Sequence, residues 1–333
     1  MAENKKVIVV TGGAGFIGSH LSEKLLESSR VICIDNFLTS DVANIDGLLR
    51  NPDFVFLKHD LNEPILLESF SDLDRFRVDV KGIQEIYHLG CPTSAKNFDH
   101  LRIQTLLANS VAMRNVLDLA VKHKARVLHA STSIVYGPGA GDERITETDI
   151  GILDQASPRA CYDEGKRFAE TACFTYSSVH GLDVRVARIF RTFGPKQRLN
   201  DGEMIPDFVL DALEGRDLVV YGDENFSTSL LYVTDLVDGL IRLMHAPENP
   251  GPVNFGADRK VKLHEVAQMI IEMTGSGSKV VHEPPLLFMT RQGLADTRKA
   301  VDTLGWIPLV RLEDGLKSTI EYTQVTHGLA KNL

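Results

Sequence analysis

The chain has few of the residues that mark several common protein classes. Its 333 residues include 4 Cys and 1 Trp, and no Cys-x-x-Cys pair occurs among Cys33, Cys91, Cys161 and Cys173. The cysteine spacing therefore gives no support for a zinc or redox motif, and no metal site is predicted. A chain that uses cysteine in this way suits a reducing cytoplasm, which is the location that we expect.

Long apolar runs and excess positive charge are also missing. No run approaches the roughly 18 apolar residues that a membrane-spanning helix needs, and the first residues lead into a strand instead of a secretory signal. The formal net charge of -9 argues against nucleic acid or an anionic membrane as the main partner. Hydrophobic residues make up 43% of the chain, which is enough for a large buried core.

The first half of the chain alternates between apolar strands and helical patterns. Strands are predicted at residues 7–11, 30–35, 54–58, 85–89, 126–130 and 183–189. Helices are predicted at residues 17–27, 44–51, 101–123 and 157–180, the last with Ser157 as its N-cap and Pro158 in its first turn. This alternation indicates an α/β fold of the Rossmann type, with a doubly wound parallel sheet.

The pattern loosens after residue 190. Helices are predicted at residues 201–215, 236–244, 263–273 and 298–304, and short strands at 218–221 and 253–255. We expect a smaller, discontinuous C-terminal lobe. The predicted division assigns residues 1–190 plus 230–256 to a dinucleotide-binding domain and residues 191–229 plus 257–333 to a substrate-binding lobe.

Glycines follow the first strand at the spacing of a dinucleotide-binding turn. Gly12, Gly15 and Gly18 lie between the strand and the next helix. Such a turn needs residues without a Cβ, and the pyrophosphate then lies against amides at the positive end of the helix. A glycine-rich turn that binds nothing is the alternative, but the strand, the helix and a suitably placed acid all agree with the first interpretation.

That acid is Asp35, which ends the second strand. Its carboxylate is suited to accept hydrogen bonds from both ribose hydroxyls of an adenosine and would repel a 2′-phosphate, so NAD is favoured over NADP. The neutral neighbour Asn36 points the same way. Asp60 and Leu61 follow the third strand and are candidates for contact with adenine.

Tyr162 and Lys166 lie four residues apart on one predicted helix and therefore share a face. A phenol with a pKa near about 10 is a poor base at neutral pH, but a nearby ammonium lowers the pKa. Thr132, after a buried strand, is placed to orient the reacting hydroxyl. With the glycine turn upstream, these three residues predict proton abstraction from an alcohol beside a hydride acceptor.

These residues resemble the extended short-chain dehydrogenase/reductase family, the NAD-dependent epimerases and dehydratases that modify nucleotide sugars. The resemblance covers essentially the whole chain, and the UDP-glucuronate decarboxylase (UDP-xylose synthase) branch is the nearest. The marks of that branch are residues 161–167 (Cys-Tyr-Asp-Glu-Gly-Lys-Arg), 88–92 (His-Leu-Gly-Cys-Pro) and 187–190 (Ala-Arg-Ile-Phe).

The resemblance implies self-contained chemistry on a nucleotide sugar linked to UDP. Bound NAD oxidises the sugar at C4, a C6 carboxylate β to the new ketone is lost as CO2, and the hydride is returned. Implied cofactor contacts are Gly12, Gly15, Phe16, Ile17, Gly18, Asp35, Asn36, Asp60, Leu61, Leu89, Tyr162 and Lys166. Implied substrate contacts are Arg191, Thr192, Tyr221 and Thr228, with Arg291 and Arg298 as further candidates for phosphate contacts.

Three positions depart from the family pattern. Ile134 replaces a Glu of the decarboxylases and dehydratases, and Ser133 replaces an Asp of the dehydratases, which disfavours dehydration.

Thr228 replaces an Arg that clamps the pyrophosphate, and Arg191 replaces an Asn near the diphosphate. Because Arg binds phosphate bidentately, the guanidinium gained at residue 191 is predicted to serve the anion that residue 228 no longer holds.

Three functions remain open on the sequence. The first is the decarboxylase, the second an NAD-dependent 4-epimerase or related C4-oxidising enzyme, and the third a non-catalytic NAD-binding protein. The signature at residues 161–167 favours the first, whereas Ile134 and Thr228 favour the second. Retention of Thr132, Tyr162 and Lys166 together argues against the third.

The resemblance also implies a homodimer that packs two helices from each subunit into a four-helix bundle. The matching segments are residues 101–123 and 157–180. The first segment carries an apolar stripe of Val111, Met113, Leu117 and Ala120. This stripe is able to face either a partner subunit or the sheet of its own subunit.

Overall fold

The computed structural model describes most of the chain. The described residues are 5–94, 100–138, 144–222, 224–285 and 293–331.

The strands of the described chain are numbered in order. They are β1 (Val7–Thr11), β2 (Arg30–Asp35), β3 (Phe54–Lys58), β4 (Glu85–His88), β5 (Arg126–Thr132), β6 (Arg144–Ile145), β7 (Val184–Ile189), β8 (Thr192–Phe193), β9 (Leu218–Tyr221), β10 (Ser227–Ser229), β11 (Leu231–Tyr232), β12 (Val253–Phe255), β13 (Lys260–Lys262), β14 (Val280–Glu283) and β15 (Leu294–Ala295).

The helices are numbered in the same way. They are α1 (Phe16–Leu25), α2 (Val78–Lys81), α3 (Arg102–Ala108), α4 (Val111–His123), α5 (Ala160–His180), α6 (Met204–Leu213), α7 (Val233–His245), α8 (Leu263–Thr274), α9 (Arg298–Leu304) and α10 (Leu312–Lys331).

Seven strands form one sheet in the order β12-β7-β5-β4-β1-β2-β3. All neighbouring pairs are parallel, because helices and loops return the chain to the same edge before each strand. The order reverses between β1 and β4, the point at which such sheets bind ligands. The registers pair Thr11 with His88 and Thr132 with Ile189, so these carboxyl ends meet at one edge. The predicted Rossmann-type parallel sheet is confirmed.

Both faces of this sheet are covered, which explains why its strands are nearly continuous apolar runs. One core places strand residues such as Val127 against α4 and α5. The other places strand residues such as Leu128 against α1 and α7. A third core lies outside the sheet, between α6, α8, α10 and β9, and includes Phe208, Leu218 and Ile320.

Three helix predictions were wrong in detail. The predicted helix at 101–123 is two helices, α3 and α4, because the Asn109 amide donates to the Thr105 carbonyl at 2.8 Å and to Cys91 Sγ at 3.2 Å. The helix predicted from residue 157 begins at Ala160, with Arg159 at the N-cap position. Ser157 is instead bonded through its amide to the Asp154 carbonyl, in the turn before the helix.

The third wrong prediction concerns residues 44–51, which form short 3-10 turns at Val42–Asn44 and Asp46–Leu48 instead of an α-helix. The long C-terminal helix α10 was not predicted at all. The apolar stripe of α4 faces the sheet of its own subunit, since Met113, Leu117 and Ala120 are buried in the first core.

Candidate functional site

One cavity of about 690 Å³ opens at the carboxyl ends of the central strands. Its walls come from the glycine turn after β1, the end of β5 with the start of α5, the segment from β7 to β9, and α10. It contains most of the predicted site residues, namely Gly12, Gly15, Phe16, Ile17, Gly18, Leu89, Thr132, Tyr162, Lys166, Arg191, Thr192 and Tyr221.

The glycine turn has the geometry that the sequence predicts. Gly12 has φ +68° and donates its amide to the Ile34 carbonyl at 2.8 Å. A Cβ on Gly12 would lie 2.7 Å from the amide nitrogen of Gly90, and one on Gly18 would overlap the Gly12 carbonyl. Helix α1 begins beyond Gly15 without a side-chain cap, so its first amides are available to an anion in the cavity. These features fit the pyrophosphate of a dinucleotide.

Asp35 lies beside this turn but does not line the cavity. Its carboxylate accepts hydrogen bonds from the Ala14 amide at 3.1 Å, the Phe37 amide at 2.9 Å and the Ser40 hydroxyl at 2.7 Å. The side chain is 8% exposed. Asp35 therefore braces the turn and residues 37–40, and its contact with a ribose stays a prediction.

The other predicted adenosine contacts also lie outside the cavity lining. Asn36 accepts from the Leu38 amide at 3.0 Å. Asp60 is exposed and accepts from the Asn62 amide at 2.9 Å. Leu61 is buried, in close contact with Gly90. Residues 39–41, 43 and 44 line this end of the cavity instead.

Thr132, Tyr162 and Lys166 meet in the cavity, and all three are less than 9% exposed. The Tyr162 hydroxyl is hydrogen-bonded to the side chain of Thr132. Lys166 Nζ donates to the Ala130 carbonyl at 2.9 Å and lies 5.9 Å from the centre of the Tyr162 ring. The carbonyl holds the ammonium at the end of β5, within reach of a ligand that passes from the glycine turn to the phenol.

The electrostatics of the phenol differ from the expectation. Burial raises the pKa of Tyr162, the Cys91 thiol raises it further, and the hydrogen bond to Thr132 and the charge of Arg159 lower it. Burial dominates because Ile134, Cys91 and Cys161 pack around the ring. The phenol of the free chain is therefore neutral at neutral pH, and an added positive charge beside it would favour the phenolate.

Arg191 and Thr228 lie side by side, as the predicted exchange of roles requires. Arg191 Nη1 is 3.5 Å from Thr228 Oγ1 and 3.8 Å from Met204 Sδ. Burial lowers the pKa of Arg191, whereas the charge of Glu203 raises it. Thr228 is buried outside the cavity lining, whereas the guanidinium of Arg191 is part of it.

The sequence prediction missed several lining residues. Arg159 carries a positive charge into the substrate side of the cavity. Four residues of α10 line it as well, and they are Thr319, Tyr322, Thr323 and Thr326. Their i, i+3, i+4, i+7 spacing is the helical signal that would have revealed them.

Arg298 and Arg291 were the two further candidates for phosphate contacts. Arg298 is 81% exposed and its guanidinium is 2.5 Å from the Asp296 carboxylate, outside the cavity lining. Arg291 lies outside the described residues.

The residues that the structure describes contain neither a metal-binding cluster nor a membrane-spanning helix. Among those residues, no cluster of three or more His, Cys, Asp or Glu side chains is arranged to hold a metal ion. Within the same ranges, no helix combines the length and the apolar character needed to cross a bilayer.

Comparison with known proteins agrees with this geometry. UDP-glucuronic acid decarboxylase 1 of Xenopus tropicalis is 39% identical over 321 residues, which cover 96% of this chain and 72% of that one. An epimerase structure from Methanothermobacter thermautotrophicus superposes with a TM-score of 0.86 at 25% identity, covering 99% and 96% of the two chains. A Bacillus cereus UDP-glucuronic acid 4-epimerase, in complex with UDP-glucuronic acid and NAD, gives 0.83 at 26% identity, covering 96% and 99%.

These relatives confirm the resemblance to UDP-glucuronate decarboxylases among nucleotide-sugar enzymes. The family model described as the NAD dependent epimerase/dehydratase family matches residues 8–256. The chain therefore belongs to the NAD-dependent epimerase/dehydratase family, and NAD is confirmed as its cofactor.

Proposed function

We propose that the chain is an NAD-dependent nucleotide-sugar decarboxylase that acts on UDP-glucuronate through oxidation at C4. The observation that carries the proposal is the single cavity shared by the glycine turn and by Thr132, Tyr162 and Lys166. The decarboxylase relatives, which match at 36–40% identity over nearly the whole chain, support the choice of substrate.

The residue roles follow from their placement. The amides after Gly12 and Gly15 hold the pyrophosphate. Asp35 fixes the part of the turn that faces the adenosine half of the dinucleotide. When bound, NAD would accept the hydride from C4 and, in its reduced form, would supply it again. Tyr162 takes the proton of the C4 hydroxyl, and Lys166 favours the phenolate and binds the ribose next to the nicotinamide.

Thr132 acts through its place beside the phenol. Its hydroxyl, hydrogen-bonded to Tyr162, is positioned to bond to the C4 oxygen as well and to hold it in line with the phenol. Once C4 is a ketone, the C6 carboxylate is β to a carbonyl and leaves as CO2. The electrons left at C5 are delocalised into the ketone, and C5 then takes a proton from solvent water.

A product assay tests the proposal. The full chain, NAD and UDP-glucuronate are mixed, and CO2 and the nucleotide sugar are measured. Release of CO2 with formation of UDP-xylose is expected. Formation of UDP-galacturonate without CO2 would contradict decarboxylation and would support 4-epimerisation.

The 4-epimerase is the second candidate because of Ile134. Its side chain is 3% exposed and lies against Tyr162 in the cavity wall, where the decarboxylase pattern has a carboxyl. An apolar side chain neither donates a proton to C5 nor holds a water there. A 4-epimerase needs no such proton transfer, since it only rotates the ketone and returns the hydride to the other face.

Arg191 is proposed to bind the diphosphate in place of the Arg missing at residue 228. Replacing Arg191 with Asn is expected to weaken UDP binding by about 10- to 100-fold, because charge-assisted hydrogen bonds contribute about 1.5–3 kcal/mol. The measurement is a calorimetric titration of UDP in the presence of NAD. Unchanged affinity would remove this role, and the matched surface variant Arg242→Gln should bind UDP as the unaltered chain does.

The two proposed units bind different ligands. Residues 1–190 plus 230–256 are proposed to hold NAD, and residues 191–229 plus 257–333 the nucleotide sugar. The separate core between α6, α8 and α10 supports this division. So does the cavity, whose lining includes both Gly12 and residues from 191 onward.

A homodimer is proposed through α3 and α5 instead of the stripe on α4. These two helices pack together and expose large apolar side chains, with Ile103 70%, Leu106 49% and Phe168 54% exposed. Replacing Phe168 with Arg is expected to convert a dimer to a monomer, because a charge is then buried at the interface. Light scattering measures the mass. A dimeric variant, or a monomeric unaltered chain, would contradict this surface.

The remaining proposals concern location and partners. We infer a cytoplasmic enzyme whose partners are small molecules, without nucleic acid or membrane. The four cysteines are free thiols, which suits a reducing compartment.

A further inference from the structure

Arg159 brings a guanidinium into the cavity next to the proposed catalytic phenol. It precedes Tyr162 by three residues, and its carbonyl accepts the Tyr162 amide at 2.8 Å. Lys166 follows four residues after Tyr162, so the three side chains lie in a row along one face of α5. The Arg159 side chain is 15% exposed and lines the cavity.

A buried carboxylate orients this guanidinium. Arg159 Nε lies 3.3 Å from Oδ1 of Asp163, whose side chain is 9% exposed. Arg159 is the N-cap residue of α5, and Asp163 lies in the first turn of the helix. The pair holds Arg159 at the cavity wall and reduces the entropy that a ligand contact would otherwise cost.

Arg159 lines the same cavity as Tyr162 and Arg191. Its charge lowers the pKa of Tyr162 on one side, and it lowers the pKa of Arg191 and of Glu203 on the other. A sugar whose C4 reaches Tyr162 and whose diphosphate reaches Arg191 therefore lies in the cavity that Arg159 lines.

Among the described residues, the side chains that contact the phenol, Ile134, Cys91, Cys161 and Thr132, carry no positive charge. Ile134 is apolar, and Thr132 is hydrogen-bonded to Tyr162. Lys166 donates to the Ala130 carbonyl on the dinucleotide side. Arg159 therefore supplies a positive charge that matches an anionic group on the sugar ring. The other cations of the described lining besides Lys166, namely Arg191, Lys196 and Arg198, lie on the segment after β7.

We propose that Arg159 binds the carboxylate of the sugar ring, which makes nucleoside diphosphate uronates the substrate class in place of neutral hexoses. This inference rests on the proposed function and names the residue that selects its substrate. A guanidinium binds a carboxylate with two parallel hydrogen bonds. It also keeps the carboxylate ionised, and the ionised form is the one that loses CO2.

The test compares binding of three ligands to the full chain with NAD present: UDP, UDP-glucose and UDP-glucuronate. The unaltered chain is expected to bind UDP-glucuronate about 10- to 100-fold more tightly than UDP-glucose. Arg159→Gln should remove this gap while leaving UDP affinity unchanged, and Arg159→Lys should restore part of it. Calorimetry reads the affinities without requiring turnover.

Two further variants control for the loss of the ion pair itself. Arg159→Gln leaves Asp163 buried without its partner, so the double variant Arg159→Gln with Asp163→Asn is measured beside it. Arg242→Gln is the matched control, because Arg242 pairs with Asp238 at the same spacing on the surface of α7. The double variant should lose the gap, and the control should keep it.

The outcomes separate the inference from the proposed function. If the unaltered chain binds UDP and UDP-glucose but shows no preference for UDP-glucuronate, the inference is overturned. It is also overturned if the gap survives in both Arg159 variants that lack the charge. If the unaltered chain binds none of the three ligands, the proposed function fails and the inference fails with it.

Discussion

Replacing Tyr162 with Phe is expected to lower kcat by about a hundredfold to ten-thousandfold, the range that a positioned proton acceptor contributes. The variant keeps the ring and its packing against Ile134, so NAD and UDP should still bind. It removes the hydroxyl that is hydrogen-bonded to Thr132 and that takes the proton from C4. Steady-state turnover of UDP-glucuronate, together with calorimetric titration of NAD, measures both expectations.

The matched control for this variant is Tyr176→Phe on the same helix. The Tyr176 hydroxyl donates to Asp118 at 2.6 Å on the protein surface, away from the cavity. Its loss should leave kcat within about twofold, as expected for a surface hydrogen bond. A Tyr162→Phe variant that turns over at the unaltered rate would exclude the phenol as the base.

Replacing Gly12 with Ala is expected to weaken NAD binding by about 10- to 100-fold. The added Cβ would lie 2.7 Å from the Gly90 amide nitrogen, and φ +68° is strained for alanine. Strain of this kind costs about 1–3 kcal/mol, and the turn must shift at the point where the pyrophosphate binds. Calorimetric titration of NAD measures the affinity, and thermal melting measures the cost to stability.

Gly277→Ala is the control for this prediction. Gly277 has open space around an added Cβ and is not among the glycines with positive φ. NAD affinity should therefore be unchanged. Unaltered NAD affinity in Gly12→Ala would show that the dinucleotide does not bind at the glycine turn.

The sequence predicted the central sheet because its signals are local. The strands from β1 to β3 are rich in Val, Ile, Leu and Phe and are bounded by polar or glycine residues, and such runs depend little on distant contacts. The glycine turn and the i, i+4 pair of Tyr162 and Lys166 were identified for the same reason. Each is a spacing that fixes geometry within one turn or one helix.

The features that escaped prediction depend on contacts between distant residues. The break at Asn109 arises from a bond to Cys91, eighteen residues earlier. The three hydrogen bonds that Asp35 accepts come from the turn and from the segment after β2. The raised pKa of Tyr162 depends on the packing of side chains from three separate segments, so spacing alone favoured the opposite direction.

The most direct measurement of the central claim follows a deuterium atom placed at C4 of UDP-glucuronate. If the sugar is oxidised at C4 beside Tyr162 and the same hydride is returned within the cavity, the product should carry the deuterium at C4. This result is expected whether the product has lost CO2 or has only changed its configuration at C4. Product that carries solvent hydrogen at C4, or that forms at the same rate in Tyr162→Phe, would contradict the account.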